Sequence, residues 1–230
     1  MTNSRKKGPV ITLDGPAGSG KSSTARAVAS RLGFCHLDSG ALYRALTLGL
    51  LRSDFPEESW KGLETKAFED LNIELKTTQN GFRVFMGGEE AGSELRASSV
   101  TDRVSFVSSL PACRESILEL QRKAGEDGRL VADGRDMGTV VFPHAELKIY
   151  LVADLAERAK RRLIEVGKDY KQELEVAQQA KALDTRDRSD SERLVSPLKK
   201  AEDAIELDTT KLEFEEQVQT VVALVRQLTL

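Results

Sequence analysis

The octapeptide Gly15-Pro16-Ala17-Gly18-Ser19-Gly20-Lys21-Ser22 decides how the rest of this chain is read. It follows Pro9-Val10-Ile11-Thr12-Leu13-Asp14, a short apolar, β-branched run of the kind that forms a buried parallel strand. After it, Ala25, Val28, Ala29 and Leu32 recur at helical spacing, and Gly33 supplies the stop. A Gly-x-x-x-x-Gly-Lys-Ser loop between a strand and a helix is an anion cradle. Gly15, Gly18 and Gly20 permit close backbone approaches that a Cβ would block. Amide N–H groups then converge on a β-phosphate, and the helix N-terminus adds partial positive charge. Lys21 reaches the β- and γ-phosphates, and the Ser22 hydroxyl is a ligand for Mg²⁺. The segment predicts binding of a nucleoside triphosphate.

Working outward, Phe34–Leu37 reads as a second strand leading into Asp38-Ser39-Gly40. Leu42, Ala45, Leu46, Gly49 and Leu50 then share one face of a helix. Strand–helix alternation predicts a three-layer α/β fold, a central parallel sheet with helices on both faces. The pattern breaks at 53–70, which is polar and reads as one or two short helices. Ile73–Thr77 and Phe82–Met86 alternate like half-exposed strands around Asn80-Gly81, a hairpin turn signal, with Gly87-Gly88 as another turn. Residues 63–95 are therefore expected to form a small antiparallel insertion. Helical periodicity returns over 97–124, with Pro111 suited to the first turn of a new helix. Leu130–Asp133, Leu147–Val152 and Ala204–Leu207 read as further core strands. Leu155–Val166 is a basic helix, a charged helix and loop cover 169–196, and a closing helix runs near Phe214–Leu228.

The chain has 230 residues and a net charge of −3, from 34 basic and 37 acidic side chains. That length suits one domain. The balance argues against a duplex-binding or membrane-surface protein, each of which favours excess Lys and Arg. Few aromatic residues and a lone Trp60 speak against an RNA-stacking module. Cys35 and Cys113 read as free thiols, and with only His36 and His144 beside them a zinc site lacks ligands. Both histidines are assigned to packing or surface. No run is long enough to span a bilayer, no signal peptide is visible, and a cytoplasmic location is expected.

A GTP switch needs an Asn-Lys-x-Asp segment, which this sequence lacks. It offers instead loop arginines: Arg44, Arg114, Arg135, Arg186, Arg188 and Arg193. Transfer between two phosphate-bearing molecules needs such a set, because charge on donor and acceptor must be neutralised and the acceptor oxygen held in line. Arginine suits this through its permanent charge and bidentate fork.

Three further segments carry a resemblance. Leu37-Asp38-Ser39-Gly40-Ala41-Leu42-Tyr43-Arg44 is similar to the segment after the second strand of bacterial cytidylate kinases. So is Asp133-Gly134-Arg135-Asp136-Met137-Gly138-Thr139-Val140-Val141-Phe142-Pro143. The third is Arg186-Asp187-x-x-Asp190-x-x-Arg193 with Ser196-Pro197-Leu198-Lys199 and Ala201-Glu202-Asp203-Ala204. With the phosphate loop these span residue 10 to about 210, while 53–95 matches loosely.

The resemblance implies a nucleoside monophosphate kinase fold with a core over 8–62, 96–168 and 197–230, the acceptor-side insertion at 63–95, and a mobile lid at about 169–196. It implies transfer from ATP to CMP or dCMP with Mg²⁺, by a monomer. Gly15, Pro16, Ala17, Gly18, Ser19, Gly20, Lys21, Ser22 and Ser23 would hold ATP. Ser105, Arg114 and Asp136 look like cytosine readers. The cytosine amino group is a donor that Asp136 and Ser105 accept, and its ring nitrogen and carbonyl are acceptors for Arg114. Uracil would set a carbonyl against Asp136. Arg44 and Arg135 look like clamps on the acceptor phosphate, and Arg186 with Asp190 like the sugar-contacting pair. Arg193 would lie near the transferring group, Tyr43 beside base or sugar, and Ser39 in the acceptor site. Lys21, Arg135, Arg186 and Arg193 are the expected catalytic set. Asp133 either positions Mg²⁺ through water or holds Arg135 or a backbone turn. Arg158, Lys160, Arg161 and Arg162 either line the ATP side of the lid or form a solvated face. A kinase of the same fold acting on UMP, AMP or a metabolite is the alternative.

Overall fold

The computed structural model describes residues 8–78 and 81–228. The chain opens with β1 (Val10–Asp14), α1 (Lys21–Leu32), β2 (Cys35–Asp38) and α2 (Ser39–Arg52). A 3₁₀ turn at Glu57–Gly62 and α3 (Thr65–Glu69) lead to β3 (Ile73–Thr78), β4 (Gly81–Met86) and β5 (Glu89–Glu90). A second 3₁₀ turn (Ser93–Arg96) precedes α4 (Ser98–Thr101), α5 (Val104–Val107) and α6 (Pro111–Ala124). Then come β6 (Leu130–Gly134), a π-helical turn (Met137–Val141), β7 (Leu147–Val152), α7 (Leu155–Glu165), α8 (Glu173–Glu192), β8 (Ile205–Asp208) and α9 (Phe214–Gln227).

Five strands form a parallel sheet in the order β2-β6-β1-β7-β8, and β3-β4-β5 form a separate antiparallel sheet. Side chains alternate across the parallel sheet as strand geometry requires. Leu130 and Ala132 of β6 enter the core shared with α2 and α6, while Val131 enters the opposite core with β1, α1 and α9. Both faces are covered, which explains why the core strands read as continuous apolar runs. The phosphate loop leaves β1 at the sheet's carboxyl edge, where open α/β sheets place their ligands. Gly15 is obligatory there: its φ is 149°, and an added Cβ would lie 2.2 Å from the Leu151 carbonyl oxygen.

Element limits follow the sequence closely at α1 and shift by one residue at β2 and β8. The expected helical stretch over 97–124 is three helices instead, interrupted at Asp102-Arg103 and at Ser108–Leu110. Pro111 does stand in the first turn of α6, where its missing N–H costs nothing. The insertion is antiparallel, with Ile73 opposite Met86 and Thr78 opposite Gly81, and it gains the two-residue strand β5. Asn80 of the expected hairpin turn lies outside the described residues. No helix among the described residues is long and apolar enough to cross a membrane.

Candidate active site

The donor side is built on the α1 N-terminus. Ser19 and Lys21 are buried, and the Lys21 ammonium donates to the Pro16 carbonyl at 3.1 Å. Burial, reinforced by the positive charge of Arg135, pulls the Lys21 amine down to about 7 against the opposing pull of Asp133. The Ser22 hydroxyl donates to Asp133 Oδ2, and His36 Nε2 lies 2.7 Å from Asp133 Oδ1. Burial would raise the Asp133 carboxyl, but the bonds from His36 and Ser22 and the charge of Lys21 hold it below its ordinary value. Asp133 thus faces Ser22 and His36. Arg135, its other expected partner, pairs with Asp190, and His36 has a structural role that sequence did not reveal. Thr24 Oγ1 bonds the Gly20 carbonyl at 2.9 Å and receives Gln217 from α9, while Thr209 reaches the Ser19 carbonyl at 3.3 Å.

Beside the loop opens a cavity of about 530 Å³. Ala17, Gly18, Gly20, Lys21, Ser22 and Ser23 form one wall, whereas Gly15, Pro16 and Ser19 do not line it. The other walls carry Ser39, Tyr43, Arg44, Arg114, Arg135, Asp136, Arg186, Asp190 and Arg193. Nine cationic side chains line the cavity against five carboxylates, in a chain whose net charge is −3. That local excess calls for anionic ligands carrying several charges.

Each acceptor-side group is held by a neighbour. Arg114 donates to Asp136 in a buried pair, with its guanidinium 5.0 Å from the Tyr43 ring centroid. Burial disfavours the Arg114 charge, yet Asp136 overcomes it and raises the group. Tyr43 is pushed up chiefly by burial and stays neutral. Arg193 lies 3.7 Å from Asp136 and 4.0 Å from Asp190, and Arg135 Nε donates to Asp190 at 2.9 Å. Burial would raise Asp190, but Arg135, Arg186 and Arg193 together hold it low. Burial and the like charge of Arg135 pull Arg186 down to about 10, and its Nε has no hydrogen-bond partner. Arg44 is anchored to the Leu95 carbonyl and the Thr101 hydroxyl, at 3.2 and 2.9 Å. Ser39 accepts from Gln121 at 2.9 Å.

Two of the expected residues have partners of their own. Ser105 donates to Asp190 Oδ1 at 3.0 Å, and the cavity wall beside it is formed by Val104 and Ser108. Arg188 is exposed and pairs with Asp184, away from the cavity. The basic helix divides as well. Arg158 is buried and donates to the Ala17 carbonyl at 2.9 Å and to Asp187, Arg161 binds Thr209, Arg162 lines the cavity, and Lys160 is exposed. Asp187 also accepts the Ala17 N–H at 2.9 Å, and Leu183 packs with Ala17 and Ala159, so α8 lies against the phosphate loop. Asp14 was missed because it looked like a strand end. It accepts Met137 N and Gly138 N at 2.9 and 2.7 Å, and burial raises its carboxyl to about 7 despite those bonds. No spacing rule links residues so distant in sequence.

A phosphate loop at one wall and a second, arginine-lined wall facing it define a phosphotransferase of the P-loop kinase class, with donor and acceptor sides. Comparison narrows the class. The chain belongs to the cytidylate kinase family, whose sequence profile matches residues 11–227. It is 44% identical over 223 residues to the cytidylate kinase of Anoxybacillus flavithermus, covering 94% of this chain and 96% of that protein. It is 43% identical over 227 residues to that of Chlorobaculum tepidum, covering 97% and 95%. The corresponding protein of Acholeplasma laidlawii is 41% identical over 218 residues, covering 94% of each.

Proposed function

We propose that the protein transfers the γ-phosphoryl group of ATP to CMP or dCMP, giving ADP and CDP or dCDP. The observation that carries this reading is the single cavity shared by Lys21, five acceptor-side arginines and the buried Arg114–Asp136 pair. Donor phosphates lie along the loop amides and Lys21. The acceptor phosphate is held by Arg44 and Arg135, and its sugar by Arg186 and Asp190. Asp136 accepts from the cytosine amino group, and Arg114 donates to the ring acceptors. Ser105 joins them by releasing Asp190.

The acceptor is already a phosphate oxygen, so no side chain has to act as a strong base. Transfer is direct and in line, with Arg193, Arg135 and Lys21 stabilising charge that spreads in the transition state. Residues 169–196 act as a lid that excludes water once both nucleotides are bound. The donor set near the loop is oxygen only, from Ser22 and Asp133, which fits Mg²⁺ with its preference for a few hard ligands completed by phosphate and water. When bound, Mg²⁺ would supply neutralisation of donor-phosphate charge. Ser22 would hold it through its hydroxyl, with the Asp133 carboxylate, its hydrogen-bond partner, beside it.

A coupled assay of diphosphate formation tests the whole reading, with ATP and either CMP, dCMP, UMP or AMP, with and without Mg²⁺. CMP or dCMP should exceed UMP by orders of magnitude in kcat/KM, since a mismatched buried polar site discriminates strongly. Equal or faster turnover of UMP refutes the base-reading roles of Asp136 and Arg114.

A further inference from the structure

The imidazole of His36 is the one buried polar ring beside the donor site whose presence the scheme above does not use. It stands in β2, where an aliphatic side chain would satisfy a buried strand, and only 8% of its side chain is exposed. A polar ring so placed costs free energy unless it is hydrogen-bonded. Its bond reaches across the β2–β6 pair to Asp133 Oδ1 at 2.7 Å. The other carboxylate oxygen, Oδ2, takes the Ser22 hydroxyl. Each carboxylate oxygen therefore has a partner of its own. The backbone of His36 is also fixed from outside. Gly81 presses on it so closely that a Cβ at residue 81 would lie 2.6 Å from His36 N.

We propose that His36 is a positioning residue for the metal side of the donor site, locking Asp133 so that Oδ2 stays aimed at Ser22. The inference rests on the reading of Ser22 and Asp133 as the Mg²⁺ side. Ser22 would hold Mg²⁺ through an oxygen lone pair with its proton still directed to Oδ2, and His36 would keep Oδ1 where it is. The bond needs only a proton on Nε2. Partners outside the ligand shell set metal affinity through orientation of this kind.

The test uses Mn²⁺ as a paramagnetic probe, titrated into the complex of the full chain with ADP while free Mn²⁺ is followed by its EPR signal. The variants are Ser22→Ala, His36→Leu, His36→Asn and His36→Gln, each checked for folding by circular dichroism. Glutamine carries its amide nitrogen at the reach of Nε2, whereas asparagine stops short. The inference expects His36→Leu and His36→Asn to weaken Mn²⁺ binding roughly tenfold, with ADP affinity in the absence of metal unchanged, and His36→Gln to restore most of it. Wild-type Mn²⁺ affinity in the leucine or asparagine variant overturns it. So does an equal loss of metal-free ADP binding, which would mark general damage to the loop. If His36→Leu does not fold, the contrast between asparagine and glutamine decides. Ser22→Ala separates the two levels. Unchanged Mn²⁺ affinity there refutes the metal reading and this inference with it, while a loss there without one at His36 refutes only the latter.

Discussion

The depressed amine of Lys21 makes nucleotide binding a proton-coupled event. In the free protein burial and Arg135 hold this group at about 7. A triphosphate laid along the loop replaces lost hydration with anionic oxygens, so the bound amine returns to its protonated form. The free-state value is the low one, so each binding event takes up a proton wherever the free amine is neutral. At pH 8 that amounts to ~0.9 proton per ATP, and at pH 6 to ~0.1. Affinity should be flat below pH 7 and fall nearly tenfold for each pH unit well above it. Arg186, lowered to about 10, stays charged at pH 8 and adds little. Isothermal calorimetry in buffers of differing ionisation enthalpy reads the uptake as the slope of observed against buffer enthalpy. Lys21→Met should abolish it. A slope near zero at pH 8, or one that survives Lys21→Met, refutes the assignment of the buried amine as the phosphate ligand.

Asp136→Ala leaves Arg114 buried without its counter-charge and should cost about 3–5 kcal/mol in urea unfolding; an unchanged midpoint would show that the pair is dispensable. Arg193→Ala should cut kcat by orders of magnitude while ATP affinity stays near wild type, because its contacts are to Asp136, Asp190 and the Ser196 carbonyl and none reaches the loop. Normal turnover removes Arg193 from the chemistry. Asp187→Ala frees the Ala17 N–H and unbalances Arg158, so hydrolysis of ATP without acceptor should change relative to transfer. An unaltered ratio would detach α8 from control of the loop.

The glycine loop was legible because everything it needs is local. The Val-Ile-Thr-Leu-Asp run ends at Gly15, and helical spacing resumes at Lys21. Hairpin strands were legible from alternation, yet Glu89–Glu90 was not, since a two-residue polar strand has no pattern of its own. The interruption at Asp102-Arg103 was hidden because apolar spacing continues through it and neither residue is a strong helix breaker. The candidate site divides in the same manner. Arginines and the Asp133–Asp136 segment stood out by motif, but who binds whom did not. His36 meets Asp133 across 97 residues, and Ala17 meets Asp187 across 170, contacts that only the sheet register and the packing of α7 and α8 create. Ser105 illustrates the reverse case, a residue placed by motif whose hydroxyl donates to Asp190.

Because β2 is the outermost strand of the parallel sheet, its outward-facing backbone groups are a template on which a foreign strand could add. The close approach of Gly81 to the His36 N and O atoms puts the hairpin over that rim. The insertion therefore sits as a guard over that edge. Replacing Gly81 with a residue bearing a Cβ would prise the guard away, and the damage would surface first as clumping during expression.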